Sequence, residues 1–415
     1  MAEAPPAGGA RLRVRALILS RAVDQAVFGL GSIVLARHYG PAAFAPAAAL
    51  FVWNSLSVQL ADQGLAFALL RLPPGTVVAS SRLARVRRAN VGVVVASLLA
   101  AVVWRSAAAW IVAGGLIWAL AAEGYVRRGC WLKRQEPTIV ARAEIGAAVA
   151  VVVGITAVLV SDASIAWVGA VFVARHVVEI TLLGMPAGAF APEGEPTTSG
   201  AEWFGQAMTY AAANVDYLVV AAALAADELS IYVISFRFAS AVPALLTVPV
   251  TQQAFVELAE PGPGRPHVHD RLLERALALG IGGIVAVTIA SILVTAFLGE
   301  GWEDVGPLSA VLALAVPWRI ILGIVVASGL TAGGSRAVAR YEAGRAAVIG
   351  LAVLAASPGG LFACAAAVTV ATILTVAAEH VATQRLAGYP PDRRLLVASA
   401  VAPVLAVVAA VGLQP

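Results

Sequence analysis

The sequence predicts an all-α polytopic membrane protein, built as two six-helix halves plus one appended C-terminal helix, about 13 transmembrane helices in all. Three observations lead there. Of 415 residues 60% are apolar and 13% charged, with a mean hydropathy of +0.87, far from the roughly 45–50% apolar and 25% charged mix of soluble domains. Apolar runs near the roughly 20 residues needed to cross a bilayer recur along the chain. The arginines cluster in the short gaps between those runs.

The first span, 16–36, ends at Arg37-His38-Tyr39-Gly40-Pro41, and the second, 43–70, resumes the apolar pattern at once. Spans 90–105 and 107–126 are divided only by Trp104-Arg105-Ser106; 138–160 and 164–184 complete the first half. The stretch 185–200, MPAGAFAPEGEPTTSG, is rich in Pro and Gly and reads as the linker between the halves. Spans 202–226, 229–254, 273–298, 306–331, 338–356 and 359–381 make the second half, and 393–413 is the appended helix. The domain reading is therefore an N-terminal lobe 1–184, a cytoplasmic linker 185–200, a C-terminal lobe 201–382 and an appended segment 383–415. No connection offers room for an extramembrane catalytic domain.

Orientation follows from charge. With Arg11, Arg13 and Arg15 on the cytoplasmic side, the loops on that side hold Arg71, Arg82, Arg85, Arg87 and Arg88, then Arg127, Arg128, Lys133 and Arg134. Later ones hold Arg265, Arg271, Arg275, Arg336, Arg340, Arg385, Arg393 and Arg394. The opposite loops carry Asp162, Asp227, Glu228, Glu300, Glu303 and Asp304, against only Arg37 and Arg105. This is the positive-inside pattern, and it places a multi-pass chain in the inner (plasma) membrane. The 185–200 stretch is the exception, since it lacks a basic residue. The segment MAEAPPAGGARLRVR offers no convincing cleavage site, so the first helix reads as an uncleaved anchor.

Chemistry of the soluble kind is missing. No phosphate-binding glycine loop or metal-spaced His/Cys set occurs, so no cofactor or metal is expected. Cys130 and Cys364 read as packing residues. The histidines 38, 176, 267, 269 and 380 are scattered, with His267 and His269 expected in a solvated loop. The net charge of +4 is a topology signal and implies no nucleic-acid partner.

A faint internal repeat supports the two halves. Val23-Asp24 and Val215-Asp216 each lie in an apolar run, followed by a polar break and then an aromatic, Phe44 or Tyr232, early in the next helix. Paired six-helix repeats are a transporter architecture, and their internal pseudo-symmetry favours a monomer.

The turn ARHYGPAAFAPAA, the stretch VQLADQGLAFALLR, and NVDYLVVAAALAADELSIYVISFRFASAVPALLTVPV together resemble the polysaccharide-transporter (Wzx-like) proteins of the multidrug/oligosaccharidyl-lipid/polysaccharide (MOP) exporter superfamily. The shared pattern is an apolar helix, Ala-Arg, a Gly-Pro turn, Phe, then an acidic residue before Gly-Leu. The second half adds an Asp in span 7, a Tyr after the outer turn, and an Arg followed by Pro in span 8. The chain departs from it at Ala45, where the pattern has Gly, and in spans 9–13, where no motif matches. The resemblance implies lobes surrounding a central cavity that opens alternately to each side. It also implies a lipid-linked oligosaccharide as substrate, with a glycan polymerase or glycosyltransferases as candidate protein partners.

An ionised group at mid-membrane costs about 2.5–3.5 kcal/mol on insertion scales, which singles out the charged residues of the spans. Arg21 with Asp24, Arg175 with Glu179, and Glu342 with Arg345 have an opposite charge within one helical turn. Asp62, Asp216, Arg237 and Arg319 do not. Asp216 and Arg237 fall at similar depth on either side of an outer turn, where they could form a structural ion pair. The resemblance instead implies that Arg237 faces the cavity, where a guanidinium fork suits phosphate. Arg319 follows Pro317 and Trp318 in LAVPWRIIL, and an interrupted helix often lines a substrate site. The headgroup candidates are thus Arg237, Arg319, Arg21 and Trp318, the indole stacking on a sugar or simply packing. Asp24, Asp216 and Asp62 are candidates for cation coupling or structural pairing, and Asp62 also suits the capping of its helix end.

These features rank a flippase for a polyprenyl-diphosphate-linked oligosaccharide first. A cation-coupled multidrug antiporter of the same superfamily comes second, and a membrane-embedded glycan-assembly enzyme or scaffold third.

Overall fold

The computed structural model describes residues 7–66, 69, 76–194, 200–259, 265–332, 335–388 and 393–413. Arg71 and the 195–199 part of the predicted linker lie outside them, as do the side chains of Arg11, Arg13, Arg15, Arg265, Arg393 and Arg394. The helices in order are α1 (Ala7–Leu60), α2 (Ser80–Val103), α3 (Ala108–Lys133), α4 (Pro137–Val160), α5 (Trp167–Leu183), α6 (Gly200–Ala223) and α7 (Ala226–Ala259). They continue as α8 (Arg265–Leu298), α9 (Val305–Ala313), α10 (Val316–Thr331), α11 (Ser335–Ala356), α12 (Gly360–Ala387) and α13 (Arg393–Gly412). Among the described residues, eight helical stretches are long and apolar enough to cross a membrane. The chain is an all-α polytopic membrane protein.

Two of those stretches exceed one crossing and are broken where sequence demands. Leu19–Val58 would be about 60 Å long if straight, twice the hydrocarbon thickness. Gly40 interrupts it at φ 76° and ψ 168°, a backbone state that a side chain disfavours, and Pro41 restarts the helix where a missing N–H costs nothing. Arg336–Ala387 likewise holds α11 and α12, separated by a 3-10 turn at Ser357–Gly359.

Two expectations fail for one reason. Span 3 was expected to start at 90, but α2 starts at Ser80 and carries Arg82, Arg85, Arg87 and Arg88 on helical turns. Span 9 was expected at 273, but α8 starts at Arg265, so His267 and His269 are helical and His269 is buried. Arginine is a good helix former whose stem lies along apolar surface while its head reaches water. Hydropathy therefore ends a span before the helix ends.

The chain divides into two compact units, residues 1–39 with 46–207, and residues 40–45 with 208–415. In the first unit α2 packs on α3, α4 on α5, and α5 on α3. The start of the predicted linker is ordered structure here. Val78–Ala79 and Phe190–Ala191 form a two-residue parallel ladder, a strand element that the all-α reading lacks. Met185, Ala189 and Phe190 pack on a core of Leu65, Leu69, Val78, Leu83, Val86, Val126 and Cys130. Asp62, fully buried, accepts from the backbone N–H groups of Gly64 (3.0 Å) and Ala66 (2.7 Å), and so caps the turn that ends α1. At the opposite end Tyr39 donates to the Ala163 carbonyl at 2.5 Å and His38 meets Asp162 at 3.2 Å.

In the second unit the six residues that start at Gly40 are anchored. Phe44 is fully buried edge-on to Trp302, and Ser230 donates to the Pro41 carbonyl at 2.6 Å. The core lies around α10, which packs on α7, α8 and α12. In the stretch Val305–Thr331, 72% of the most apolar window is buried, against 11% in α2, which is peripheral. Gly280 permits the approach of α8 to α10, because a Cβ there would stand 2.4 Å from the Pro317 Cα.

Candidate functional site

The first unit gathers charges from four helices. Asp24 on α1 accepts from Arg175 on α5 with both oxygens at 3.1 Å, and Arg175 also reaches Glu179 at 3.5 Å. Glu179 is bonded at 2.6 Å by Arg128 of α3, which contacts Glu144 of α4 at 3.3 Å. Ser20 donates to Glu144 at 2.5 Å, and Arg21 stands 3.9 Å from the same carboxylate. His176 meets Asn54 at 2.7 Å, and the Arg175 guanidinium lies 4.8 Å above the Phe28 ring. The expected Arg21–Asp24 turn pair is therefore corrected: a guanidinium from α5 takes Asp24, and Arg21 turns toward Glu144 with half its side chain exposed. The Arg175–Glu179 pair forms, but as one link of a longer chain.

The second unit arranges its charges differently. Asp216, on α6, is sealed at 1% exposure and accepts from the Tyr232 hydroxyl of α7 at 2.5 Å. Tyr217, Tyr232 and Phe236 form a cluster with ring centroids 4.6 to 6.0 Å apart. Arg319 of α10 lies on that cluster, its guanidinium 4.4 Å from the Phe236 centroid and one nitrogen donating to Ser240 at 2.8 Å. Arg237 lies within electrostatic range of Tyr217, and Arg319 within range of Asp216. Both arginines are part-buried, Arg237 with its Nη1 sealed, whereas Arg175 and Arg345 are closed off at 4% exposure.

Of the five N–H donors on Arg319, Ser240 engages one. The remaining donors have no protein partner among the described residues and are not sealed from solvent. A guanidinium fork on an aromatic ledge, with donors to spare, suits a tetrahedral oxyanion. Trp318 does not share that ledge. It is 5% exposed, and its indole N–H donates to Ser399 at 3.0 Å, which ties α10 to α13 and leaves no face for a sugar. The structure therefore groups Asp216, Arg237 and Arg319 in one unit, Arg21 and Asp24 in the other, and removes Trp318 and Asp62 to packing and capping. Sequence reasoning missed Arg128 and Glu144, because their partners lie on other helices.

No protein-family model matches this chain, and no curated protein does. Solved structures match over nearly its whole length. An inward-facing multidrug-resistance MATE-family transporter of the MOP superfamily superposes with a TM-score of 0.67 at 11% identity, covering 90% of this chain and 98% of that one. Lipid II flippase MurJ, in an inward closed conformation, gives 0.66 at 11% identity, covering 97% and 93%. This chain shares the fold of these two transporters. An outward-facing MATE-family transporter of the superfamily matches less closely, at 0.58 and 10% identity over 91% of this chain. Identities this low establish fold, and the two better matches lie too close together to favour one cargo.

Proposed function

We propose that the chain is a flippase that moves a polyprenyl-diphosphate-linked oligosaccharide, or a related cell-envelope glycolipid, from the cytoplasmic to the outer leaflet by alternating access. It is a transporter and not an enzyme, resides in the inner membrane with its N-terminus cytoplasmic, and works as a monomer. The observation that carries the reading is Arg319, a part-buried guanidinium with unengaged donors, while the nearby carboxylate is sealed under Tyr232. Diphosphate is the anion that this donor set fits best. A drug antiporter handling cations would need the reverse, a reachable carboxylate among aromatics.

The test is a leaflet-accessibility assay in proteoliposomes loaded with fluorescent polyprenyl-diphosphate oligosaccharide. Wild-type protein flips the lipid, and Arg237→Ala and Arg319→Ala at equal reconstitution do not. Cation-driven dye export without flipping of any glycolipid would overturn the reading in favour of the antiporter.

A further inference from the structure

The second unit holds a separate sealed charge group. Arg345 on α11 donates to Glu342 on its own helix and, at 3.2 Å, to one oxygen of Glu379 on α12. All three are 3–6% exposed. Two carboxylates share one guanidinium, so the fully ionised group carries a surplus negative charge where uncompensated charge is expensive. The second Glu379 oxygen, Oε1, is sealed and accepts no hydrogen bond.

Among the described residues, no cation besides Arg345 is bonded to either carboxylate. On α10 the one charged residue is Arg319, within electrostatic range of Arg345 but not bonded to Glu379. Helix α9 has none, and α13 has none beyond Arg394. Arg336 and Arg340 of α11 and Arg385 of α12 are exposed. His380 of α12 stacks on His269 of α8 at 5.4 Å, and Asp270 stands 3.7 Å from His269. From α6, Val215 packs against Gly350 of α11, next to Asp216.

We propose that Glu379, sharing Arg345 with Glu342, is a proton-binding site coupled to the Arg319 headgroup site. A proton on the sealed oxygen cancels the surplus charge, whereas an alkali cation would need a shell of several oxygens. Protonation also leaves the charge of Arg345 less compensated beside Arg319, which favours an anion there. Coupling is reciprocal, so the anionic headgroup and the proton strengthen each other's binding. This second step rests on the flippase reading; the proton site does not.

The experiment is infrared difference spectroscopy of substrate-free protein in proteoliposomes, titrated across about pH 5 to 9, the range that buried carboxyls reach. Wild type shows a protonated carboxyl band that titrates. Glu379→Gln removes it, and so does Glu342→Gln, which leaves one carboxylate for one guanidinium; thermal melts confirm that both variants are folded. The absence of such a band in wild type, its survival in both variants, or its displacement by sodium would overturn the proposal. A titrating band in protein that flips no glycolipid keeps the proton site and removes the flippase. Flipping without the band, indifferent to a pH gradient, does the opposite.

Discussion

The two units spend similar charges in opposite ways. In the first, Asp24, Glu144 and Glu179 alternate with Arg128, Arg175 and Arg21, so nearly every buried charge touches its opposite across a helix boundary. In the second, the charges are sorted. Arg319 lies on an aromatic ledge with donors to spare, Asp216 is held by a tyrosine, and Glu342 and Glu379 share Arg345. Interleaved charge cross-links helices and has nothing left for a ligand, whereas sorted charge costs more in a membrane interior and persists where something must bind. The paired Val-Asp motifs show this at one position: Asp24 meets a guanidinium, and Asp216 meets a hydroxyl.

That contrast can be broken from either side. The largest loss of stability is expected in the first unit. Glu179→Ala strands Arg128 and Arg175, and removing one partner of a buried pair costs about 3–5 kcal/mol, read as a large drop in melting temperature and yield in detergent. In the second unit, Gly280→Val drives a side chain into Pro317; overpacking of this kind costs about 1–3 kcal/mol, and the displaced α10 should depress flipping as well. Tyr232→Phe takes from the sealed Asp216 its side-chain donor, for about 1–3 kcal/mol in the same melts. Asp62→Ala removes two backbone contacts for about 0.5–2 kcal/mol and leaves transport intact. Arg319→Ala should change stability least, because the loss of one hydroxyl bond and one ring contact is offset by removing a charge from the membrane interior, yet abolish flipping. A variant ranking in which Arg319 outweighs Glu179 in stability would erase the distinction between the units.

What the sequence disclosed follows from the range of each interaction. The Gly40-Pro41 break was legible because two adjacent residues determine it. The fold class was legible because hydrocarbon thickness limits every span alike. The Glu144–Arg128–Glu179–Arg175–Asp24 chain was not, since its links join different helices, and a search within one turn finds only Arg175 with Glu179. For the same reason Arg21 was assigned the wrong carboxylate, and the tie from Trp318 to Ser399, 81 residues on, left the indole open to a sugar-stacking role. His269 was misplaced because a polar helix end resembles a loop in hydropathy. The ladder joining Val78–Ala79 to Phe190–Ala191 has no periodic signature at two residues per strand.

The central claim is that Arg319, with Arg237 of the same unit, grips a diphosphate. Its most direct test is equilibrium binding of a labelled polyprenyl diphosphate to wild type, Arg237→Ala, Arg319→Ala and Arg175→Lys in detergent. Loss of a charge-assisted contact worth about 1.5–3 kcal/mol should weaken binding roughly 10- to 100-fold in the two alanine variants, with Arg175→Lys close to wild type if it folds. Unchanged affinity in Arg237→Ala and Arg319→Ala would contradict the account.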